Sequence, residues 1–237
     1  MTTAALLLAQ IEFKDRTGGG DCVANDGFCP SWIADNWERY RGPFFEHLEL
    51  TLISVAIGFV IAFALALVAH RRRWLIPPVT QITGILYTLP SVALFFLLLP
   101  LTGRGKTTAV IALVAYTLLI IFRNVITGLE GVPAEARDAG RGMGLTSRQL
   151  LWRVELPLAL PAIMAGLRIA MTTTVGLTAL VFLAGAGGLG EEIFNDMQFR
   201  SNVVVAGGLC VLLAVMLDLL VLAVQKLMTP WTRGAAA

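Results

Sequence analysis

Five long apolar stretches separated by short polar ones set the pattern of this chain, over roughly 48–69, 77–101, 107–127, 158–184 and 203–225. Each approaches or exceeds the run of about 18–20 apolar residues that lets a helix cross a bilayer. The second is entered through Pro77-Pro78 and interrupted by Leu89-Pro90-Ser91. The fourth carries Pro161, Gly166, the Thr172–Thr174 run and Gly176, and a glycine-rich link, Gly185–Gly190, follows it. The pattern predicts an all-α polytopic membrane protein with about five transmembrane helices. It divides into an extracytoplasmic, interfacial segment over 1–46, a membrane domain over 47–230 and a tail over 231–237.

Composition agrees. The chain is 57% hydrophobic and 14% charged, and its mean hydropathy is +0.76. A net charge of +2 without a basic stripe gives no footing for nucleic acid. Met1–Gln10 is apolar but short and has no basic start, so no signal peptide is expected. Trp32, Trp37, Tyr40, Phe44 and Phe45, with Arg39 and Arg41 among them, predict a surface-lying lead-in to the first span.

Charge also sets the expected orientation. Ten basic residues fall on one side of the predicted spans (71, 72, 73, 123, 137, 141, 148, 153, 226 and 233), against Arg104, Lys106 and Arg200 in the opposite short loops. The positive-inside rule then puts the C-terminus in the cytoplasm and the N-terminus outside. That would leave Cys22 and Cys29 where a disulfide persists. Their spacing leaves both a bridge and two free thiols open. Cys210 lies in an apolar helix, and no zinc-type spacing occurs.

Two short motifs imitate nucleotide sites. Pro100–Thr107 (PLTGRGKT) ends like a phosphate-binding loop but has Pro100 where the motif needs glycine, and it joins two spans rather than a strand and a helix. Gly185, Gly187 and Gly190 match G-x-G-x-x-G in form only, with no strand before them.

The polar island Asp138–Pro157 (DAGRGMGLTSRQLLWRVELP) is longer and more patterned than a simple turn requires. Pro133 suits a first helical turn. Ala134, Ala136, Ala139 and Gly140 keep helix faces thin, and Asp138 and Arg141 are spaced to pair. Gly144 fits the left-handed residue that ends a helix. Thr146 or Ser147 can cap the next one, which presents Leu150, Leu151 and Val154 on one side. Pro157 is expected to end that helix at Leu156 and start a new segment. The prediction is a helix–turn–helix on the cytoplasmic face with Met143 and Leu145 near its apex.

Asp138-Ala139-Gly140, three residues, Gly144, nine residues, then Val154-x-Leu156-Pro157 resembles the EAA loop of ABC importer permeases, with Asp for Glu, Gly for the second Ala and Val for Ile. Tyr87–Ser91, Arg123-Asn124, Glu155–Arg168 and Gly185–Phe194 are similar to the osmoprotectant branch, and the likeness covers roughly 47–230. The resemblance implies a MetI-like permease core with a cytoplasmic coupling helix, in the bacterial inner membrane. It implies importers of glycine betaine, choline or carnitine, a second permease subunit, a cytoplasmic ABC ATPase and an extracytoplasmic substrate-binding protein. ATP and Mg would be bound by the ATPase and no cofactor by this chain, a transport subunit without its own ATPase site. Asp138, Ala139, Gly140, Met143, Gly144, Leu145, Arg148 and Leu151 are the candidates for ATPase coupling.

Pro90, Ser91, Thr172, Thr173, Thr174 and Asp218 are weaker candidates for the translocation path, because discontinuous helices and intramembrane charges mark such paths. Pairing of Asp218 within the complex is an equally open reading. Methionine-importer permeases share the size, the spans and the glycine-rich link, and stand as the neighbouring alternative. A stand-alone carrier would show internal repeats, and none is evident. No nucleophile–base pair or metal constellation points to an enzyme.

Overall fold

The computed structural model describes Cys22, Val23 and residues 26–230; the tail over 231–237 and most of residues 1–25 lie outside the described part. From residue 30 on, the α-helices of the described part are α1 (Pro30–Asp35), α2 (Arg41–Arg71), α3 (Ile76–Thr88), α4 (Ser91–Thr102), α5 (Lys106–Glu130), α6 (Ala134–Gly142), α7 (Ser147–Leu150), α8 (Leu156–Thr178), α9 (Leu189–Asn195) and α10 (Arg200–Met228). Short 3₁₀ turns precede α2 and α3 and follow α8. There is no strand among the described residues.

Among the described residues, four segments are long and apolar enough to cross a membrane: Trp37–Arg71, Lys106–Glu130, Ser147–Thr178 and Arg200–Met228. The fifth expected span is the pair α3–α4, bent by 98° at Leu89–Pro90. Proline pushes the residue before it out of the helical region, and Leu89 is extended at ψ 133°. Tyr116 of α5 holds the break, its hydroxyl donating to the Leu89 carbonyl at 2.6 Å. At 13 and 12 residues, each half is about 20 Å long or less, too short to span alone.

The centre of the bundle is α5, enclosed by α2 and α8. Ala62, Ala66 and Ala69 give α2 a thin face, against which Ile121, Phe122, Val125 and Leu129 of α5 and Ala159 and Ile163 of α8 pack. Small residues at such contacts let helix axes approach without the aqueous hydrophobic drive that lipid removes. Toward the other end Leu50, Phe95, Leu113, Tyr116, Val181 and Ala184 form a second cluster. Val55, Met164, Val175, Leu213 and Leu217 join α2 and α8 to α10.

Three expectations change. The aromatic lead-in is only partly on the surface, with Trp37 and Phe45 49% and 59% exposed but other members built into the bundle. Tyr40 is fully buried with its hydroxyl on Asn202 Oδ1 at 2.9 Å, and Trp32 packs edge-on against Phe199 at 4.7 Å. The first span also starts early: α2 begins at Arg41, with Gly42-Pro43 in its first turn, where proline is tolerated because its missing N–H would be unpaired anyway. Finally, Pro157 does not stop the helix. A π-turn over Leu151–Glu155 joins α7 to α8, and this wide turn opens the carbonyl ladder where the Pro157 ring would otherwise meet the preceding turn.

Cys22 and Cys29 are bridged, with Cα atoms 5.9 Å apart. The backbone N–H of Cys29 donates to Ser201 Oγ at 2.7 Å, and Ser201 in turn donates to the Gly27 carbonyl at 3.0 Å. The start of the described chain is thereby held on the start of α10.

Candidate coupling loop and translocation elements

The loop between α5 and α8 is fixed at every turn. After α6, Gly144 adopts the left-handed conformation at φ +78°. Its N–H donates to the Arg141 carbonyl and that of Leu145 to the Gly140 carbonyl, the two bonds of a Schellman ending. Thr146 then caps α7 reciprocally. Gln149 N–H donates to Thr146 Oγ1, and Thr146 N–H donates to Gln149 Oε1 at 2.9 Å, so two otherwise unpaired donors are satisfied together. Between the two helix ends, Met143 projects with 73% of its surface exposed.

A buried carboxylate ties this loop to the bundle. Glu155, 7% exposed, sits in the π-turn. Its Oε2 lies 3.1 Å from His70 Nε2 at the end of α2. Its Oε1 lies 3.0 Å from Arg137 Nε of α6. Arg137 also donates to the Leu129 carbonyl near the end of α5. Three elements therefore meet at one carboxylate, and Arg137 extends the joint to α5.

Of the loop residues singled out from sequence, Asp138, Ala139, Met143 and Arg148 are exposed and Leu145 is half-buried. Asp138 pairs with Arg141 at 3.4 Å on the surface. Leu151 is corrected: it is 4% exposed and packs in the central core, because the apolar side of α7 and the π-turn faces the bundle. Gly140 is corrected likewise. It is buried, and a methyl carbon there would lie 2.6 Å from Leu150 Cδ1, so its missing side chain serves the packing of α6 on α7. Sequence reasoning missed His70, Arg137 and Glu155 as a group. The available signal was an acidic residue in the undefined position of Val154-x-Leu156-Pro157.

The structure does not bring the path candidates together into one site. Pro90 and Ser91 stand at the α3–α4 break beside Tyr87 and Tyr116, whose rings meet at 6.0 Å. On α8, Thr172 donates to the Arg168 carbonyl at 3.1 Å and Thr173 is half-buried. Thr174 is corrected to an interior position, fully buried with its hydroxyl on the Ala170 carbonyl at 2.7 Å. Asp218 is paired: Arg168 Nε and Nη2 donate to its two oxygens at 2.8 and 2.7 Å. This bidentate geometry is the strongest that an arginine and a carboxylate offer. Among the described residues no group of three or more His, Cys, Asp or Glu converges as metal ligands do.

A bundle with one broken span, and a projecting loop anchored to three of its helices, defines a multi-span membrane permease. The chain belongs to the family of binding-protein-dependent transport system inner membrane components, whose model matches residues 54–234. It is 39% identical to the osmoprotectant import permease protein OsmW of Salmonella typhimurium, over 84% of this chain and 96% of that one. It is 35% identical to the choline transport system permease protein OpuBB of Bacillus subtilis, over 78% and 87%. Among solved structures, a chain of the inward-facing MetNI methionine ABC transporter matches with a TM-score of 0.66 and 27% identity, over 77% of this chain and 94% of that one. An amino acid ABC transporter reaches 0.70 at 15% identity, over 83% and 97%, a likeness of fold.

Proposed function

We propose that this chain is the transmembrane permease subunit of an ATP-driven importer of osmoprotectants, quaternary amines such as glycine betaine, choline and carnitine. The observation that carries the substrate class is the identity of 39% and 35% with relatives named for osmoprotectant and choline transport, over most of both chains. The basic end, with Arg71–Arg73 and the α6–α7 loop, lies in the cytoplasm. The C-terminus is on that side and the N-terminus outside. Two permeases, identical or related, work with a cytoplasmic ATPase that binds ATP and Mg and with an extracytoplasmic binding protein. The permease itself has no ATPase site.

The loop is the mechanical link. Met143, Leu145 and Arg148 meet the ATPase, and Gly144 sets the angle at which they do so. Closure of the ATPases draws the loops of the two permeases together. From Ser147 to Thr178 the chain is one 32-residue helical rod, about 48 Å long, so displacement of the loop tilts the whole fourth span. Glu155 passes the same displacement to the ends of α2 and α5. Pro90, Ser91, Thr172 and Thr173 line the path that opens. The Arg168–Asp218 pair holds α8 and α10 together beside it.

The test is ATPase activity of the co-expressed complex in vesicles, with the cognate binding protein and each of betaine, choline, carnitine and methionine. Stimulation by a quaternary amine is the expected result. Stimulation by methionine alone would move the chain to the second reading, a methionine-type importer, which the 27% identity to the MetNI chain favours. Uptake by the purified chain without ATP would overturn both.

A further inference from the structure

A cavity of about 720 Å³ opens between the end of α2 and the α6–α7 loop, lined among others by His70, Arg71, Arg141, Thr146, Arg148 and Glu155. Its acid, Glu155, has both oxygens engaged by Arg137 and His70. Arg141 is partly offset by Asp138 on its outer side. That contact engages Nη1 of Arg141 alone, at 3.4 Å, and Arg71, Arg141 and Arg148 are all exposed. The lining is therefore cationic and rich in N–H donors, the chemistry that grips a phosphate.

Its depth relative to the membrane is marked by two tryptophans. Trp74, 70% exposed, follows Arg71 by three residues, and Trp152, 54% exposed, follows the lining residue Leu151. Exposed tryptophans beside apolar spans settle at the headgroup level. Basic pockets between spans at that level take lipid headgroups. We infer that this cavity binds the phosphodiester of an anionic phospholipid, one headgroup per permease, between Arg71 and Arg141. A zwitterionic lipid fits poorly, because its own cation would enter a cavity whose acid is already paired. The bound headgroup would bridge span one and the coupling loop within the cavity that His70 and Glu155 also line.

The experiment is native mass spectrometry of the purified permease–ATPase complex, titrated with phosphatidylglycerol and phosphatidylcholine in equal amounts. The expected result is selective retention of phosphatidylglycerol, one per permease. With Arg71→Gln and Arg141→Gln combined, its affinity should fall roughly twenty- to thirtyfold, at about fivefold per arginine. The corresponding double Lys variant should keep most of the binding, which separates lost charge from lost folding. Equal retention of the two lipids, or undiminished retention in the Gln variant, would overturn the inference. So would displacement of the lipid by millimolar inorganic phosphate, which would make free phosphate the ligand. Lipid retained by the permease alone and expelled by the ATPase would assign the cavity to an acidic segment of that partner.

Discussion

Two of the ion-paired joints in the described part of this protein are built differently. At the basic end, Glu155 is buried and faces Arg137 and His70 from two other elements. Deep in the spans, Asp218 meets Arg168 alone, in a two-point contact between α8 and α10 that is about 30% exposed in the single protomer. The first joint links three parts of the chain at one carboxylate and a fourth through Arg137, and fixes their relative angles. The second fastens one pair of helices and leaves their other neighbours free. A multi-element joint suits a place where force enters. A pairwise clamp suits a place where helices tilt together.

The largest expected effect comes from breaking the first joint. Glu155→Ala leaves the half-buried Arg137 without its carboxylate, a change approaching the roughly 3–5 kcal/mol of a fully buried pair that loses one partner. The folded complex should be much reduced in yield and lose thermal stability, read by size-exclusion fluorescence. Charge exchange sharpens the contrast. Arg168→Asp and Asp218→Arg should each impair assembly and transport, while the double swap should restore at least half of both, since only two groups are involved. The equivalent swap of Arg137 and Glu155 should not recover, because His70 would then face an arginine. Recovery there would show that His70 is not part of the joint.

Smaller effects belong to the loop between these joints. Gly144→Val forces a β-branched side chain into φ +78°, a strain of about 1–3 kcal/mol. Transport should be abolished with membrane insertion intact, because the angle of Met143 changes while the spans remain. Unimpaired ATP-dependent uptake would remove the hinge from the mechanism. Thr146→Ala deletes one arm of the capping box, costing about 1 kcal/mol, and should lower the ATPase-to-transport coupling ratio more than expression. Asp138→Ala removes an exposed pair worth a few tenths of a kcal/mol. Its stability effect should fall near the limit of measurement.

Local rules made much of the loop legible in advance. Pro133, Gly144 and Thr146 act on their own neighbours within a few residues, so the α6–turn–α7 outline followed from spacing. The break at Pro90 followed for the same reason, though its 98° bend depends on Tyr116, 27 residues away. Partners distant in sequence were not legible: His70 lies 85 residues from Glu155 and Arg168 lies 50 from Asp218. Leu151 was misplaced as a surface contact because an apolar residue beside a docking loop fits either side until the packing of α7 is known. Pro157 misled because a proline reads as a stop unless a wide turn is built ahead of it.

The contact between Cys29 and Ser201 joins residues 172 positions apart, and it gives the assembly of the molecule an order in time. At ribosomal speeds of about 5–20 residues per second, Ser201 is made roughly ten to thirty seconds after Cys29. Through that interval Trp32 and Tyr40 have no Phe199 or Asn202 to receive them, so this segment, made well before the last span, is among the last to find its place. A disulfide closed early, between Cys22 and Cys29, would keep that waiting segment short and preshaped until the final span arrives.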